Sequence, residues 1–244
     1  MKKVIVILLV VISFASRAQQ IEEMEYNIRF GFIRGGQATL VATNTFYQKK
    51  PAIHYYMKAK TVGLTDKLFS VYDIYESYVN PDNYLPYMAI RNVKEQNYKS
   101  YNETYFFQDN DSIYSEKTGG RKVEDGLVDI LSVFFYMRQN NLLDKLDHGE
   151  EFEVPVYHDG KNFMMTVKYL GTDKVNTDIG EINCHVVSPS VKKGKVLKRS
   201  DGLKFYISKD SNKVPLLLEF DMRVGSLKCE LKSYKRQGME LILH

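Results

Sequence analysis

The chain has 244 residues, 44% apolar and 26% charged, with two Cys, six Pro, no Trp and a formal net charge of +4. Such fractions belong to ordinary folded domains and exclude a disordered, collagen-like or disulfide-dense chain; two cysteines are also too few for a Cys₄ zinc site. The unusual feature is the aromatic content, 18 Tyr and 13 Phe, which favours half-buried strands.

In chain order, the first segment reads as an export signal. Lys2 and Lys3 precede an unbroken apolar run from Val4 to Ile12, and Ser16-Arg17-Ala18 sets small residues at the −3 and −1 positions before Gln19. The run is about half the ~20 residues needed to span a bilayer, and no later segment approaches that length. Residues 1–18 are therefore expected to be a signal peptide. The mature chain, 19–244, is expected to be periplasmic and soluble, without a transmembrane segment. Removing Lys2, Lys3 and Arg17 takes three of the 34 bases and none of the 30 acids, leaving a net charge of about +1. A nearly neutral protein gives no global reason to bind nucleic acid.

Period-two alternation dominates the rest. Tyr26, Ile28, Phe30 and Phe32 alternate with Glu25, Asn27, Arg29 and Gly31, and the pattern returns at 53–60, 163–169 and 203–207. Each run predicts a strand with one face on a core. Turn signals fall between the runs, among them Gly35-Gly36, Asn80-Pro81-Asp82-Asn83, Asp159-Gly160 and Asp210-Ser211-Asn212. Connections this short imply antiparallel meanders. One stretch differs: Leu127, Ile130, Leu131, Phe134 and Met137 recur at helical spacing. They predict a helix over 126–139, capped by Asp125, with Arg138 complementing the dipole of the last turn.

The fold expected is mainly β: a large curved antiparallel sheet or partly open barrel made of two meanders, with one central α-helix packed on it. A single domain, 19–244, divides into a first meander (19–125), the helix and its connection (126–145) and a second meander (146–244). Val79 to Pro86 and Lys209 to Pro215 echo each other as polar turn, then apolar residue and Pro.

Chemistry is harder to find. The five histidines, at 54, 148, 158, 185 and 244, make no metal-ligand spacing, and no nucleophile elbow is present. No cofactor or metal site is implied. Asp73 and Glu76 fall on opposite faces of a strand, a poor acid/base pair. Asp73, or Asp129 with Arg138, is instead a candidate for a partly buried structural ion pair. In an oxidising compartment Cys184 and Cys229 could bridge, closing a loop of about 46 residues worth roughly 4 kcal/mol; two reduced thiols on separate strands is the alternative. Lys192, Lys193, Lys195, Lys198 and Arg199 form a basic tract that reads as a solvated loop or as a contact for an anionic surface, where each cation could add about 1 kcal/mol.

The chain also resembles an exported bacterial family catalogued as domain of unknown function 3108. The resemblance runs through Tyr26–Leu40, Asp66–Asp73, Leu85-Pro86, the helical Asp129–Arg138, Tyr169-Leu170-Gly171, Cys184 with Ser188-Pro189, Tyr206–Asp210 and Val224-Gly225-Ser226. It departs at Tyr206, where Trp is expected. The resemblance implies an antiparallel β envelope protein and no assigned catalytic residues. The plan is also similar, at the level of fold alone, to lipoprotein carriers of the LolA/LolB type, in which a curved sheet and helices enclose an acyl chain. Three functions are consistent with this reading. The first is non-enzymatic binding of a lipid or other hydrophobic ligand in the concave face of the sheet. The second is a structural or assembly partner of another envelope protein, and the third an envelope hydrolase using Asp73 or a distant histidine such as His185.

Overall fold

The computed structural model describes residues 19–139, 142–177, 180–190, 202–222 and 225–237; the predicted leader lies outside them. Strands β1 (Gln19–Phe30), β2 (Ile33–Tyr47) and β3 (Lys50–Thr61) lead to a short helix, α1 (Gly63–Leu68). Then come β4 (Tyr72–Val79), β5 (Pro86–Glu95), β6 (Tyr98–Phe107), β7 (Ser112–Ser115) and β8 (Gly119–Lys122). The two-residue β9 (Val128–Asp129) precedes helix α2 (Ser132–Gln139). The second meander is β10 (Glu151–His158), β11 (Lys161–Thr177), β12 (Gly180–Pro189), β13 (Leu203–Ser208), β14 (Pro215–Met222) and β15 (Gly225–Arg236).

All fifteen strands join one sheet, with β8 at one edge, β9 at the other and β1 paired with β15 in the middle. Every pairing is antiparallel except the short β9–β10 contact. The two meanders thus fan outward from the β1–β15 pair. Laid flat, fifteen strands would be about 67 Å wide at ~4.8 Å per gap. Yet β8 and β9, the two edges, are joined by Val123 to Leu127, which can span at most roughly 22 Å. The sheet must curl until its edges meet.

They meet through side chains, not a ladder. Ser77 Oγ on β4 donates to Asp129 Oδ2 on β9 at 2.6 Å. Tyr157 of β10 donates to Ser115 Oγ on β7 at 3.1 Å, and the Arg121 guanidinium on β8 donates to the Gly160 carbonyl in the β10–β11 turn at 2.9 Å. The result is a barrel-like curl with a side-chain seam.

Helix α2 fills the inside. Its i, i+4 neighbours project together: Leu131 and Phe135 enter a core shared with Met24, Tyr26, Leu40 and Tyr55 of the first meander, and Val133 and Met137 enter a second with Val154, Val156, Met165 and Val167. Phe135 stacks on Tyr55 with centroids 3.5 Å apart and rings 5° from parallel. The helix starts later than its periodicity suggests. Val128 and Asp129 pair with Val156 and Tyr157 as strand. The Asp129 carboxylate, not Asp125, caps the helix by accepting the Leu131 and Ser132 amides at 2.8 and 3.1 Å. Apolar spacing is blind to this, because Leu127 and Val128 are buried in either conformation.

Two local expectations are also corrected. The first strand stops at Phe30, and the hairpin turn is Gly31-Phe32, with Gly31 at φ 56°, a left-handed value that Gly adopts at no steric cost. Gly35 and Gly36 lie within β2 instead. A Cβ on Gly35 would come 2.9 Å from Thr65 Oγ1, so the glycine is what lets α1 lie against the strand. The 79–86 and 209–215 echo, by contrast, is real in three dimensions. Asn80 and Asp210 each accept the amide two residues on, at 2.9 and 3.1 Å. Tyr84 and Lys213 are both left-handed, and Pro86 and Pro215 each open a strand, where no ladder amide is lost.

At the end of α2, Arg138 reaches Glu22 of β1 in a buried bidentate pair, with Nη1–Oε1 at 2.7 Å and Nη2–Oε2 at 3.2 Å. Its Nε and Nη2 also donate to the Asn212 carbonyl at 3.2 and 2.5 Å, and Tyr234 donates to Glu22 Oε2 at 3.0 Å. Removing one partner of such a pair strands a buried charge, whereas replacing both with apolar groups is tolerated. Arg138→Met is expected to lower unfolding free energy by about 3–5 kcal/mol in urea titrations, and adding Glu22→Leu to restore most of that loss.

Candidate functional site

Of the thirteen large hydrophobic side chains notably exposed among the described residues, eight sit at one end of the curled sheet, which makes that end a patch and not a scatter. Phe32, at the tip of the β1–β2 turn, is 103% exposed, and Ile33, Leu64, Leu68 and Phe69 are each more than half exposed. The construction of α1 explains why they face outward. The helix buries none of its residues; polar bonds hold it from beneath. Asp66 accepts the Thr61 and Ser70 hydroxyls at 2.7 and 2.9 Å, which hold its carboxyl below the usual range. Gln96 of the β5–β6 turn donates to the Leu68 carbonyl at 2.8 Å, and the Val62 amide donates to the Gly35 carbonyl at 3.0 Å. With the polar groups spent on anchoring, Leu64 and Leu68, one turn apart on the same face, point to solvent. Arg34, Lys60 and Lys67 stand around them and hold no ion pair among the described residues.

A second feature is a polar cleft of about 310 Å³, counting the solvent at its mouth, where the seam passes between β4–β6 and β9–β10. Tyr75, Arg91, Asn102, Asp129, Tyr157 and His158 help to line it. Arg91 Nη1 lies 3.5 Å from Asp159, which Lys117 contacts at 2.9 Å. Burial, reinforced by the Arg91 charge, pushes the His158 imidazole below its usual range.

The ionisable residues singled out in the sequence take structural posts. Asp129 does not pair with Arg138. Asp129 lies on β9 ahead of α2 and Arg138 in its last turn, and each is satisfied elsewhere. Asp73 makes no ion pair among the described residues; its Oδ1 accepts the Lys94 amide at 3.0 Å, and burial raises its pKa. Cys184 and Cys229 are free thiols. They stand on β12 and β15 with β13 and β14 between them, about 14 Å across the sheet, where a bridge needs Cα atoms about 5.5 Å apart. Lys192, Lys193, Lys195, Lys198 and Arg199 lie outside the described residues.

His54 bonds Glu76 at 2.7 Å and stacks on Tyr78. His185 is bonded to the Tyr169 hydroxyl at 2.9 Å and lies 3.2 Å from Asp144, which also holds the buried Lys213 at 2.6 Å. Burial and the Lys213 charge lower the His185 pKa. Among the described residues no three His, Cys, Asp or Glu side chains converge as a metal site, and no helix is long and apolar enough to cross a membrane. Sequence reasoning missed the apolar end because it assigned Phe32 to the inward face of a strand; the Leu64/Leu68 spacing after Gly63 was its one available signal.

Fold and surface together define a class: a curled, barrel-like antiparallel sheet wrapped round a buried helix, with apolar side chains displayed at one end. A crystal structure of a β-barrel-like protein of domain of unknown function DUF1849 from Brucella abortus is similar in fold, with TM-score 0.59 and 8% identity, covering 89% of this chain and 98% of that one. A DUF1089 family protein from Pseudomonas aeruginosa aligns more loosely, at TM-score 0.34 and 9% identity over 88% of this chain and 95% of that one. No curated protein matches the sequence. The family model described as "Protein of unknown function (DUF3108)" matches residues 25–232, and the chain belongs to that family.

Two solution measurements follow. His158 and His185 both have folded pKa values below the ordinary ~6.5, so the unfolded chain takes up these protons first. Their contribution is flat above about pH 6.5, and stability falls as pH drops through that value toward their folded pKa values. The melting temperature is expected to decline between neutral and mildly acidic pH, and less steeply in His158→Gln. Burial also pushes the Cys184 and Cys229 thiols up to about 11 and about 12. Ellman's reagent should therefore leave both unmodified in the native protein at pH 8 and titrate both in guanidinium.

Proposed function

We propose that this protein is a non-enzymatic, exported component of the bacterial envelope that binds a hydrophobic or amphipathic ligand of lipid type. The observation that carries this reading is the apolar end, where Phe32 and Ile33 of the β1–β2 hairpin and Leu64, Leu68 and Phe69 of the polar-anchored α1 segment are solvent-exposed. Covering a Phe or Leu side chain is worth about 1.5–3 kcal/mol, so five of them are a standing free-energy source for association with an apolar partner. The concave face, expected from sequence to hold the ligand, is packed with the protein's own side chains, among them Phe135 on Tyr55. The ligand surface is therefore assigned to the end of the curl.

The test is native mass spectrometry of protein purified from its own envelope, followed by melting curves of the delipidated protein with and without a long-chain fatty acid or lysophospholipid. A bound lipid and a raised melting temperature are expected. The Leu64→Ser/Leu68→Ser variant should lose both while its ligand-free unfolding free energy changes by no more than about 0.5 kcal/mol per substitution, as suits exposed positions. Protein that carries no lipid and melts identically with and without these amphiphiles refutes the reading.

A further inference from the structure

Resting on that reading, we infer that the apolar end docks on the surface of an anionic phospholipid bilayer, with Phe32 as the inserted anchor and Arg34, Lys60 and Lys67 facing the headgroups. Shape favours a bilayer over a protein partner. Phe32 is carried on the tip of a two-residue turn with its whole side chain in solvent, and Leu64 and Leu68 project from the outer face of a helix that buries nothing. These are protrusions without walls. A fluid interface closes around separate projections, whereas a rigid partner would need a matching socket for each.

Charge favours it as well. Arg34, Lys60 and Lys67 hold no ion pairs among the described residues; of the carboxylates at this end, Asp66 is occupied by the Thr61 and Ser70 hydroxyls that fix the loop, and Asp221 lies in the adjoining β14–β15 hairpin. Apolar anchors ringed by Lys and Arg are the arrangement that binds anionic interfaces. Two tyrosines of the same end, Tyr72 and Tyr98, are about half exposed; an aromatic ring with a polar tip is suited to headgroup depth. The neighbouring β5–β6 turn neither adds to nor opposes the positive charge, since Lys94 and Lys99 are matched there by Asp73 and Glu95.

The absence of Trp from the chain supplies a clean probe. Phe32→Trp places a single indole at the anchor, in a position without packing neighbours. Its emission is expected to shift to the blue with vesicles containing equal parts phosphatidylcholine and phosphatidylglycerol, to shift less with phosphatidylcholine alone, and to be quenched by lipids brominated along the acyl chain. Arg34→Gln/Lys67→Gln in this background should weaken binding to the anionic vesicles by about 30-fold, from ~1 kcal/mol per cation, and added salt should weaken the parent in the same direction. Flotation of the unsubstituted protein with the same vesicles guards against an effect of the indole itself. A blue shift that depends on protein concentration without vesicles would assign the end to a second copy of the chain and overturn docking. Lipid found by native mass spectrometry, with no flotation and no vesicle-dependent shift, would also overturn docking while leaving the binding of single amphiphiles in place.

Discussion

The architecture depends on a short piece of chain. Val123 to Leu127 joins the two edges of a fifteen-stranded sheet, and a link that short forbids the sheet to lie open. Right-handed twist makes any large sheet coil, but the link sets how far: the edges must come within reach of each other. They do so without completing a ladder. The meeting strands at the edges, β8 and β9, are four and two residues long, and short edges offer little template for pairing with another chain. The seam is consequently written in side chains, with Ser77, Ser115, Arg121, Asp129 and Tyr157 supplying the bonds that backbone would supply in a closed barrel.

Once curled, the sheet encloses a space that must be filled, and α2 fills it. The helix is unusual in being buried on more than one side, because the two meanders wrap it from both directions. That geometry buries Arg138 almost completely, and the burial is sustainable because Glu22 and the Asn212 carbonyl accept from the guanidinium while Tyr234 donates to Glu22. A buried pair of this kind adds little net stability compared with apolar packing. Its value here is positional. Glu22 is on β1, Tyr234 on β15 and Asn212 in the β13–β14 turn, so one cation registers the end of the helix against both centre strands and the second meander.

A filled interior moves attention to the outside. Polar side chains are spent on holding α1 and the neighbouring turns, and the large apolar ones are left in water, the reverse of the usual economy of a surface helix. The thiols and carboxylates noticed in the sequence are, in contrast, absorbed by the scaffold. Asp129 caps a helix and closes the seam, Asp73 accepts a strand amide, and Cys184 donates to the Asp173 carbonyl at 3.0 Å.

The residues read alone were enough for the strands, the antiparallel connections, the single long helical stretch and the paired turns before Pro86 and Pro215. Alternation, i, i+4 spacing and turn chemistry are local properties of backbone geometry, so they are visible without a fold. What they could not supply was any fact that needs two distant segments at once. Periodicity ran the first strand on to Phe32, because an alternating pattern carries no record of where the register turns over; the Gly31 backbone and the Arg29–Arg34 pairing decide that, and they convert an expected core residue into the most exposed large hydrophobic side chain among the described residues. Arg138 was matched to Asp129 by nearness in sequence, whereas its partner, 116 residues away, is brought to it only by the curl. The cysteines left bridge and free thiols both open, since an oxidising compartment permits a bridge without requiring one, and the sheet order then set two strands between them. Composition and pattern thus determined the kind of wall this protein builds. Closure of that wall decided which side chains lie inside it, which face water, and where a ligand can be met.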